Sequence, residues 1–217
     1  MKNHPEICAE TLDEVVFGRP QFRALLKSLI DGRMNFPANG KSGVLLAGIY
    51  GTGKTMVAKM LPGLFEAARS GGSEADEQFH ECKRGNNGVL LLDHLDASCN
   101  LISFNPSGLH YVILDEVDNL TELAQTQLKG LMNRRSVIFI MTSNHAAALD
   151  RGIIDRSHVI ELNSANPAAW LPVARKVWRT HSDMEPSDEL LLNIIKQANG
   201  TARQIIAAVN GYFADLE

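Results

Sequence analysis

Apolar residues in this chain cluster in short, unbroken runs. Each run has apolar side chains at successive positions, without the alternation of apolar and polar residues that marks a half-exposed strand. Strands of a parallel sheet are covered on both faces and have this pattern. The pattern predicts five buried strands, at residues 44–47, 89–92, 111–114, 137–141 and 159–162.

Helical periodicity fills intervals between these runs. It is clearest over residues 120–132, where apolar side chains return with helical spacing and polar residues take the other faces. Strands that alternate with helices predict a doubly wound α/β fold. Residues 69–87 are rich in glycine, serine and charge, which favours a loop or insertion. Pro62 and Gly63 are expected to cut short the helix that begins near Met56.

The last quarter of the chain has helical patterns only, after a connection expected at residues 163–167. A change from alternating elements to helices alone indicates a change of architecture. We therefore predict an α/β domain at residues 1–163 and a small helical domain at residues 164–217.

Three helices are expected in the second domain. The first is predicted over residues 171–180. Ser187 is the expected N-cap of the second, which should end with Gly200 as its C-cap. Thr201 and Gln204 have the spacing of a capping box at the start of the third.

Composition narrows the class of protein. The chain has 217 residues, 45% of them hydrophobic, which is enough for a buried core. Cys8, Cys82 and Cys99 form no CxxC pair and are expected to be reduced thiols. The first residues lack the apolar core of a signal peptide, and no apolar run is long enough to span a bilayer, so we expect a cytoplasmic protein without membrane contact.

The formal net charge of −4 argues against a surface coated with basic residues. Contact with nucleic acid would therefore need a local basic patch. Scattered solvated charges are the favoured interpretation of the candidates for such a patch, which are Lys83, Arg84, Lys129, Arg134 and Arg135.

Residues 48–55 read GIYGTGKT and match the pattern GxxxxGK[ST] between the first predicted strand and an apolar helical segment. Backbone amides of such a P-loop turn inward to cradle phosphates, which is why the pattern needs glycines. Lys54 is expected to reach the β and γ phosphates, and the Thr55 hydroxyl is expected to ligate Mg²⁺. The expected nucleotide contacts in this segment are Gly48, Gly51, Thr52, Gly53, Lys54, Thr55 and Met56.

The third predicted strand ends in Leu114, Asp115 and Glu116, which is a Walker B pattern. Asp115 is expected to hold the Mg²⁺ shell, and Glu116 is expected to orient and polarise the water that attacks the γ-phosphate. Two acids after a strand are a weak signal alone, but a P-loop about 60 residues earlier strengthens it. Asp118 is expected to cap the following helix.

The stretch LDEVDNLTELAQTQLKGLMN, followed by SVIFIMTSN, resembles the corresponding segment of AAA+ clamp-loader subunits of the replication factor C small-subunit type. TLDEVVFG at residues 11–18 resembles the segment that precedes the P-loop in that family. The resemblance covers most of the chain. It implies a P-loop domain with a parallel five-stranded sheet, an α-helical lid, and hydrolysis of ATP with Mg²⁺. Asn144 stands where the family has its sensor 1 residue.

Arginines of the family's active sites also have counterparts. Arg156 aligns with the arginine of a Ser-Arg-Cys motif that reaches into the neighbouring subunit's site, although both of its neighbours here differ. Such an arginine in trans neutralises charge on the γ-phosphate. Arg151 is the other candidate for this role, and an exposed pair with Asp155 is the simpler interpretation of Arg156. Arg203 stands where the family has its sensor 2 arginine, in the first turn of a predicted helix.

The resemblance implies an oligomeric ATPase, a ring or partial ring, that remodels or loads a protein partner in DNA transactions such as replication or repair. DNA is a candidate partner. Two features depart from the family: Ile49 and Tyr50 replace common prolines in the P-loop, and the chain has no counterpart of the helical collar that assembles clamp loaders. Clamp loading by this chain alone is therefore not expected.

Three other functions stay open at this point. The first is a regulatory or protein-remodelling AAA+ adaptor with no DNA role, which DNA binding and DNA-stimulated turnover would distinguish. The second is a small-molecule P-loop kinase, which would need no arginine in trans. The third is an ATP-binding switch without turnover, for which Glu116→Gln would change no rate.

Overall fold

The chain forms a five-stranded parallel sheet with helices on both faces, followed by a group of helices. The computed structural model describes residues 9, 11–72, 74–163, 166–198 and 200–214. The strands are β1 (Gly43–Ala47), β2 (Glu77–Glu81), β3 (His110–Asp115), β4 (Val137–Ser143) and β5 (Ser157–Glu161), in the spatial order β2-β3-β4-β1-β5. The helices are α1 (Pro20–Ile30), α2 (Lys54–Ser70), α3 (Val89–Cys99), α4 (Glu122–Leu131), α5 (Arg151–Asp155), α6 (Leu171–Trp178), α7 (Asp188–Gln197) and α8 (Ala202–Ala214). The predicted fold class is confirmed.

Successive residues of the central strands enter two different cores. Val44 and Leu46 of β1 pack with α1 and α2, whereas Leu45 packs with α3 and α4 on the other face. Both cores need apolar side chains, because neighbouring side chains of a strand point to opposite faces. This accounts for the unbroken apolar runs in β1, β3 and β4, where every residue is buried.

The predicted strand at residues 89–92 is wrong, because these residues begin helix α3. Leu91, Leu92, Leu95 and Cys99 are the buried residues of this helix. Their spacing places them on one helical face, and a short apolar run alone does not separate a strand from a buried helix segment. The helical face becomes visible only when the run is read together with the residues after it.

The predicted loop at residues 69–87 is also wrong in part, because it contains strand β2. This strand lies at the edge of the sheet, and its residues Glu77 to Glu81 pair in parallel with β3. Its side chains alternate between exposed and half-buried. An edge strand of this kind is charged and lacks an apolar run, as expected where open edges must avoid association.

Helix α2 is longer than predicted and continues through Pro62 and Gly63 to Ser70. Proline removes one hydrogen bond inside a helix and usually kinks or breaks it. Here Leu61, Pro62, Phe65 and Glu66 are all buried residues of the helix. Packing of this face against the sheet overrides the local preference.

The C-terminal helices have their own core. Trp170 and Trp178 are buried there with residues of α6, α7 and α8. Ser187 caps α7 through a bond from the Leu190 amide, as predicted. The helix ends earlier than predicted, with Ala198 as its C-cap, while Gly200 has a left-handed backbone at φ 71°.

The capping box at the start of α8 is present in part. The Thr201 hydroxyl accepts a hydrogen bond from the Gln204 amide at 3.3 Å and donates to the Gln204 side chain at 3.2 Å. The Gln204 side chain is therefore held by the threonine hydroxyl.

Cys82 and Cys99 are free and buried. Burial and the neighbouring carboxylates raise the pKa of Cys82 to about 12, so this thiol is expected to be inert. Cys8 lies outside the described residues. No helix in the described part of the chain combines the length and the apolar character that crossing a membrane requires.

A buried carboxylate ties α2 to the loop before β3. Glu66 is 0% exposed. Its side chain accepts hydrogen bonds from the Ser107 amide at 2.8 Å, the Ser107 hydroxyl at 2.6 Å and the Tyr111 hydroxyl at 2.8 Å. Burial raises the pKa of Glu66, but these hydrogen bonds outweigh burial and the net shift is downward.

Replacing Glu66 by glutamine is expected to lower the free energy of unfolding by about 1–3 kcal/mol at neutral pH, because charge-assisted bonds are lost and an amide donor faces other donors. A carboxylate with a lowered pKa stabilises the fold above the unfolded pKa, and this contribution is lost as the pH falls. The deficit should therefore narrow below a pH of about 4.3. Urea unfolding at several pH values measures it, and an equal deficit at all pH values would contradict the charged network.

Candidate nucleotide-binding site

The predicted site residues meet at one edge of the sheet. The loop 48–53 follows β1, Asp115 ends β3, and Asn144 follows β4. Because all strands are parallel, their carboxyl ends lie at the same edge, where α/β proteins bind ligands. The topology therefore brings together residues that lie up to about 90 positions apart in the sequence.

Two backbone conformations in this loop require glycine. Gly51 and Gly53 have left-handed φ values of 78° and 89°, which residues with a Cβ rarely adopt. Gly53 is also the N-cap of α2 and forms no side-chain cap bond. The first amides of α2 therefore remain available for an anion, and the helix dipole favours one there.

Lys54 is held across this loop by three acceptors. It is 7% exposed, and its ammonium donates to the Gly48 carbonyl at 2.8 Å, the Ile49 carbonyl at 2.9 Å and the Asn144 side chain at 2.7 Å. Burial lowers the pKa of Lys54, and nearby carboxylates, Asp115 first, offset part of this shift. The ammonium and the Asn144 amide thus lie side by side at the phosphate end of the loop.

Oxygen ligands for a divalent cation are also in place. The Thr55 hydroxyl donates to Asp115 Oδ1 at 2.8 Å, and the Thr142 hydroxyl donates to the same oxygen at 2.6 Å. Mg²⁺ prefers carboxylate and hydroxyl oxygens together with substrate phosphates. The residues present fit this metal, with Thr55 and Asp115 as the protein ligands.

Glu116 follows Asp115 with an unusual backbone. Its φ of 55° places it in the left-handed region, where non-glycine residues are uncommon and functional sites are overrepresented. Its amide donates to the Thr142 hydroxyl at 2.9 Å. Glu116 lines the same cavity as Lys54 and Thr55.

Two adjoining cavities extend from this constellation. The first, of about 620 Å³, is lined by Lys54, Thr55, Glu116, Thr142 and Asn144 among others. The second, of about 640 Å³, lies between the loop and the C-terminal helices and includes Val16, Trp170 and Ile206. Both cavities share Gly51, Gly53, Met56 and Arg203. A polar end joined to an apolar end suits a triphosphate joined to a nucleobase.

The C-terminal helices touch the P-loop directly at this junction. The Arg203 amide donates to the Gly51 carbonyl at 3.2 Å. A Cβ at Gly51 would lie 3.0 Å from the Arg203 Cβ, so this approach is close. The Arg203 side chain is exposed at the start of α8 and lines both cavities, which places it within the predicted nucleotide-binding set.

Arg156 does not join this set. It precedes β5, whose carboxyl end pairs with Ala47 before the P-loop, so about 13 Å of strand separates the two. Its guanidinium donates to the Gly152 carbonyl at 3.0 Å and to Asn133 at 3.2 Å. Arg151 is exposed at the start of α5. Arg156 therefore lies at the end of the sheet opposite to this chain's own P-loop.

The predicted capping role of Asp118 is wrong. Thr121 caps α4 through a bond from the Ala124 amide. Asp118 instead lies 3.3 Å from the Nδ1 atom of His145. The chain between Glu116 and Thr121 makes an extra turn of 3-10 helix, and this turn moves Asp118 too far from the α4 terminus to act as a cap.

Sequence reasoning missed three polar residues of the site. Thr142 bridges Asp115 and Glu116, Asn163 accepts from the Ile49 amide at 2.8 Å, and Asn119 donates to Glu116 at 3.2 Å. Thr142 and Asn163 stand at or just after the carboxyl ends of strands, which was a usable signal. The sequence gives no such signal for Asn119, because its contact with Glu116 depends on the 3-10 turn.

The fold and the site define a P-loop ATPase domain of the α/β class. Residues 44–164 match the model of the ATPase family associated with various cellular activities (AAA). The chain belongs to this AAA family. Membership implies ATP binding and hydrolysis, and AAA ATPases normally use Mg²⁺.

Individual relatives are more distant. The chain is 26% identical over 139 residues to the ATP-dependent zinc metalloprotease FtsH of Akkermansia muciniphila. This match covers 55% of this chain and 17% of that protein. RuvB of Thermotoga maritima, a Holliday junction branch migration motor, has a TM-score of 0.66 at 17% identity, covering 93% of this chain and 63% of that one. A DNA polymerase III gamma subunit-related protein from Thermotoga maritima has a TM-score of 0.56 at 13% identity, covering 88% and 57%.

This chain spans less than two thirds of each of these proteins. The likeness to the two solved structures therefore establishes the fold. The AAA family is confirmed, and the clamp-loader type stays a prediction.

Proposed function

We propose that this chain hydrolyses ATP with Mg²⁺ at the junction of residues 1–163, the nucleotide-binding domain, and residues 164–217, the lid. One observation carries the proposal. Lys54, Asn144, Thr55 and Asp115 converge at one sheet edge with hydrogen bonds of 2.7–2.8 Å between Lys54 and Asn144 and between Thr55 and Asp115. This is the arrangement that phosphoryl transfer needs, because positioning and charge supply most of its catalysis.

Each residue has a defined task in this proposal. Lys54 exchanges its carbonyl partners for oxygens of the β and γ phosphates, while Asn144 donates to the γ-phosphate or to the attacking water. Glu116 orients this water and polarises it for in-line attack. Mg²⁺ held by Thr55 and Asp115 would neutralise charge on the phosphate oxygens. Arg203 contacts the phosphates from the lid.

We further propose that a neighbouring copy or a related chain completes the site with an arginine. Arg156 is the preferred candidate, since it lies at the end of the sheet away from its own P-loop, and the exposed Arg151 is the alternative. Loss of the γ-phosphate would then release contacts of Arg203 and of the arginine in trans, which switches the packing between subunits.

The preferred role of this switching is to remodel or load a protein partner in DNA transactions. It is supported by the resemblance to clamp loaders and by the fold shared with RuvB and the polymerase-related protein. Individual charges add no support for a basic strip, because Lys83, Lys129 and Arg134 are paired with Glu81, Asp150 and Asp96. The FtsH similarity favours the second candidate, a protein-remodelling ATPase without a DNA role.

ATP hydrolysis measured against protein concentration, with and without primed DNA, tests this proposal. We expect the rate per subunit to rise with concentration, to increase with DNA, and to fall about 10³-fold in Arg156→Ala, as for other arginines supplied in trans. Arg151→Ala tests the alternative candidate, since Arg151 begins the short helix α5 that Arg156 follows.

The possible outcomes separate the proposals. Loss of activity in Arg151→Ala alone would reassign the trans role to Arg151. A rate that depends on concentration but not on DNA would leave the protein-remodelling function. A flat rate that neither substitution changes would exclude an arginine in trans and leave a monomeric P-loop enzyme.

A further inference from the structure

The side-chain amide of Asn119 links Glu116 to the loop between β2 and α3. Asn119 Nδ2 donates to the Cys82 carbonyl at 3.0 Å and to Glu116 Oε2 at 3.2 Å. An amide nitrogen carries two hydrogens, so both are used. One hydrogen bond fixes the amide to the end of β2, and the other fixes one oxygen of the Glu116 carboxylate.

The backbone of Asn119 is anchored to the same loop. The Asn87 side chain donates to the Asn119 carbonyl at 2.8 Å, and the Thr121 amide donates to the Asn87 carbonyl at 2.9 Å. The Asn119 amide donates to the Glu116 carbonyl at 2.9 Å. These bonds join the 3-10 turn after β3 to residues 82–87, so the position of Asn119 follows the position of that loop.

The backbone of Glu116 is fixed, but the orientation of its carboxylate is not. The amide bond to Thr142 and the left-handed φ of 55° set where its side chain begins. The carboxylate can still rotate about the side-chain torsions, which are freely sampled in a half-exposed glutamate. A donor at Oε2 selects one orientation and leaves Oε1 for another partner.

We propose that Asn119 is a positioning residue for Glu116, which holds its carboxylate in the orientation that polarises water, and that Asn87 holds Asn119 in place. This inference rests on the proposed ATP hydrolysis. Since general base catalysis depends on a hydrogen-bonded geometry, a misplaced carboxylate lowers the rate of the chemical step and leaves ATP binding intact.

Steady-state ATP hydrolysis by the full chain tests this proposal through Asn119→Ala, Asn119→Asp and Asn87→Ala. We expect kcat to fall about tenfold in Asn119→Ala, with KM for ATP and the thermal midpoint unchanged. Asn119→Asp should lose at least as much, because a second carboxylate repels Glu116. Asn87→Ala should lose less, about threefold, because it loosens the turn without removing the amide.

Asn86→Ala is the matched control. Asn86 donates to the Glu81 carbonyl at 2.9 Å in the same loop and contacts neither Asn119 nor Glu116 through its side chain, so its kcat should equal that of wild type. Unchanged or increased kcat in Asn119→Ala overturns the proposal, and so does an equal loss in Asn86→Ala. Absence of ATP hydrolysis by the wild type would instead overturn the proposed function itself.

Discussion

Replacing Glu116 by glutamine is expected to lower kcat for ATP hydrolysis by about 10²–10⁴-fold while ATP binding is retained. Glutamine keeps the shape of the side chain but cannot accept a proton from water. In the described part of the chain, Glu116 accepts no hydrogen bond from the Lys54 or Thr55 side chains, which donate to Asn144 and Asp115 respectively. The residues that would hold the phosphates and Mg²⁺ are therefore unchanged in this variant.

Single-turnover hydrolysis and equilibrium binding of ATP together measure this effect. Glu122→Gln is the matched control, because Glu122 is an exposed glutamate in the first turn of α4. The control should hydrolyse ATP at nearly the wild-type rate. An unchanged rate in Glu116→Gln would mean either that another group polarises the water or that the chain is an ATP-binding switch.

Replacing Lys54 by methionine is expected to weaken ATP binding by about 100-fold, since hydrogen bonds from a charged donor contribute roughly 1.5–3 kcal/mol each. Methionine keeps an unbranched apolar stem and removes the charge. The free energy of unfolding should change by less than about 1 kcal/mol. The loss of three hydrogen bonds destabilises the fold, and removal of the charge of Lys54, which is only 7% exposed, offsets this loss.

Titration with a fluorescent ATP analogue measures the affinity, and urea unfolding measures the stability. Lys196→Met is the control, since Lys196 is exposed in the last turn of α7. Weaker binding in both variants would indicate a general effect of net charge. Normal binding by Lys54→Met would contradict the assignment of the phosphate site.

Local sequence patterns predicted those parts of the molecule that local chemistry determines. The strands β1, β3 and β4 are buried on both faces, so their apolar runs were sufficient. The glycines and Lys54 of the P-loop were predictable because one continuous segment wraps the phosphates. The family resemblance added Asn144 and Arg203, whose proximity to the P-loop depends on the tertiary fold.

The remaining elements depend on partners distant in the sequence. Strand β2 forms because its backbone pairs with β3, and its charged, half-exposed side chains give no apolar signal. Helix α2 continues past Pro62 because the residues around this position pack into the core. Asn119 reaches Glu116 only through the turn that follows β3. In each case a tertiary contact outweighs the local preference.

Helix α2 also has a mechanical consequence. It carries Lys54 and Thr55 at its first turn and Glu66 near its last, and its 17 residues span about 25 Å. The Glu66 network fastens the far end to Ser107 and Tyr111. A force applied to α2 at its phosphate-binding end therefore acts on a helix whose other end is fixed. Tilting of α2 would therefore move the loop before β3, which lies at the edge of the sheet opposite to the nucleotide-binding site.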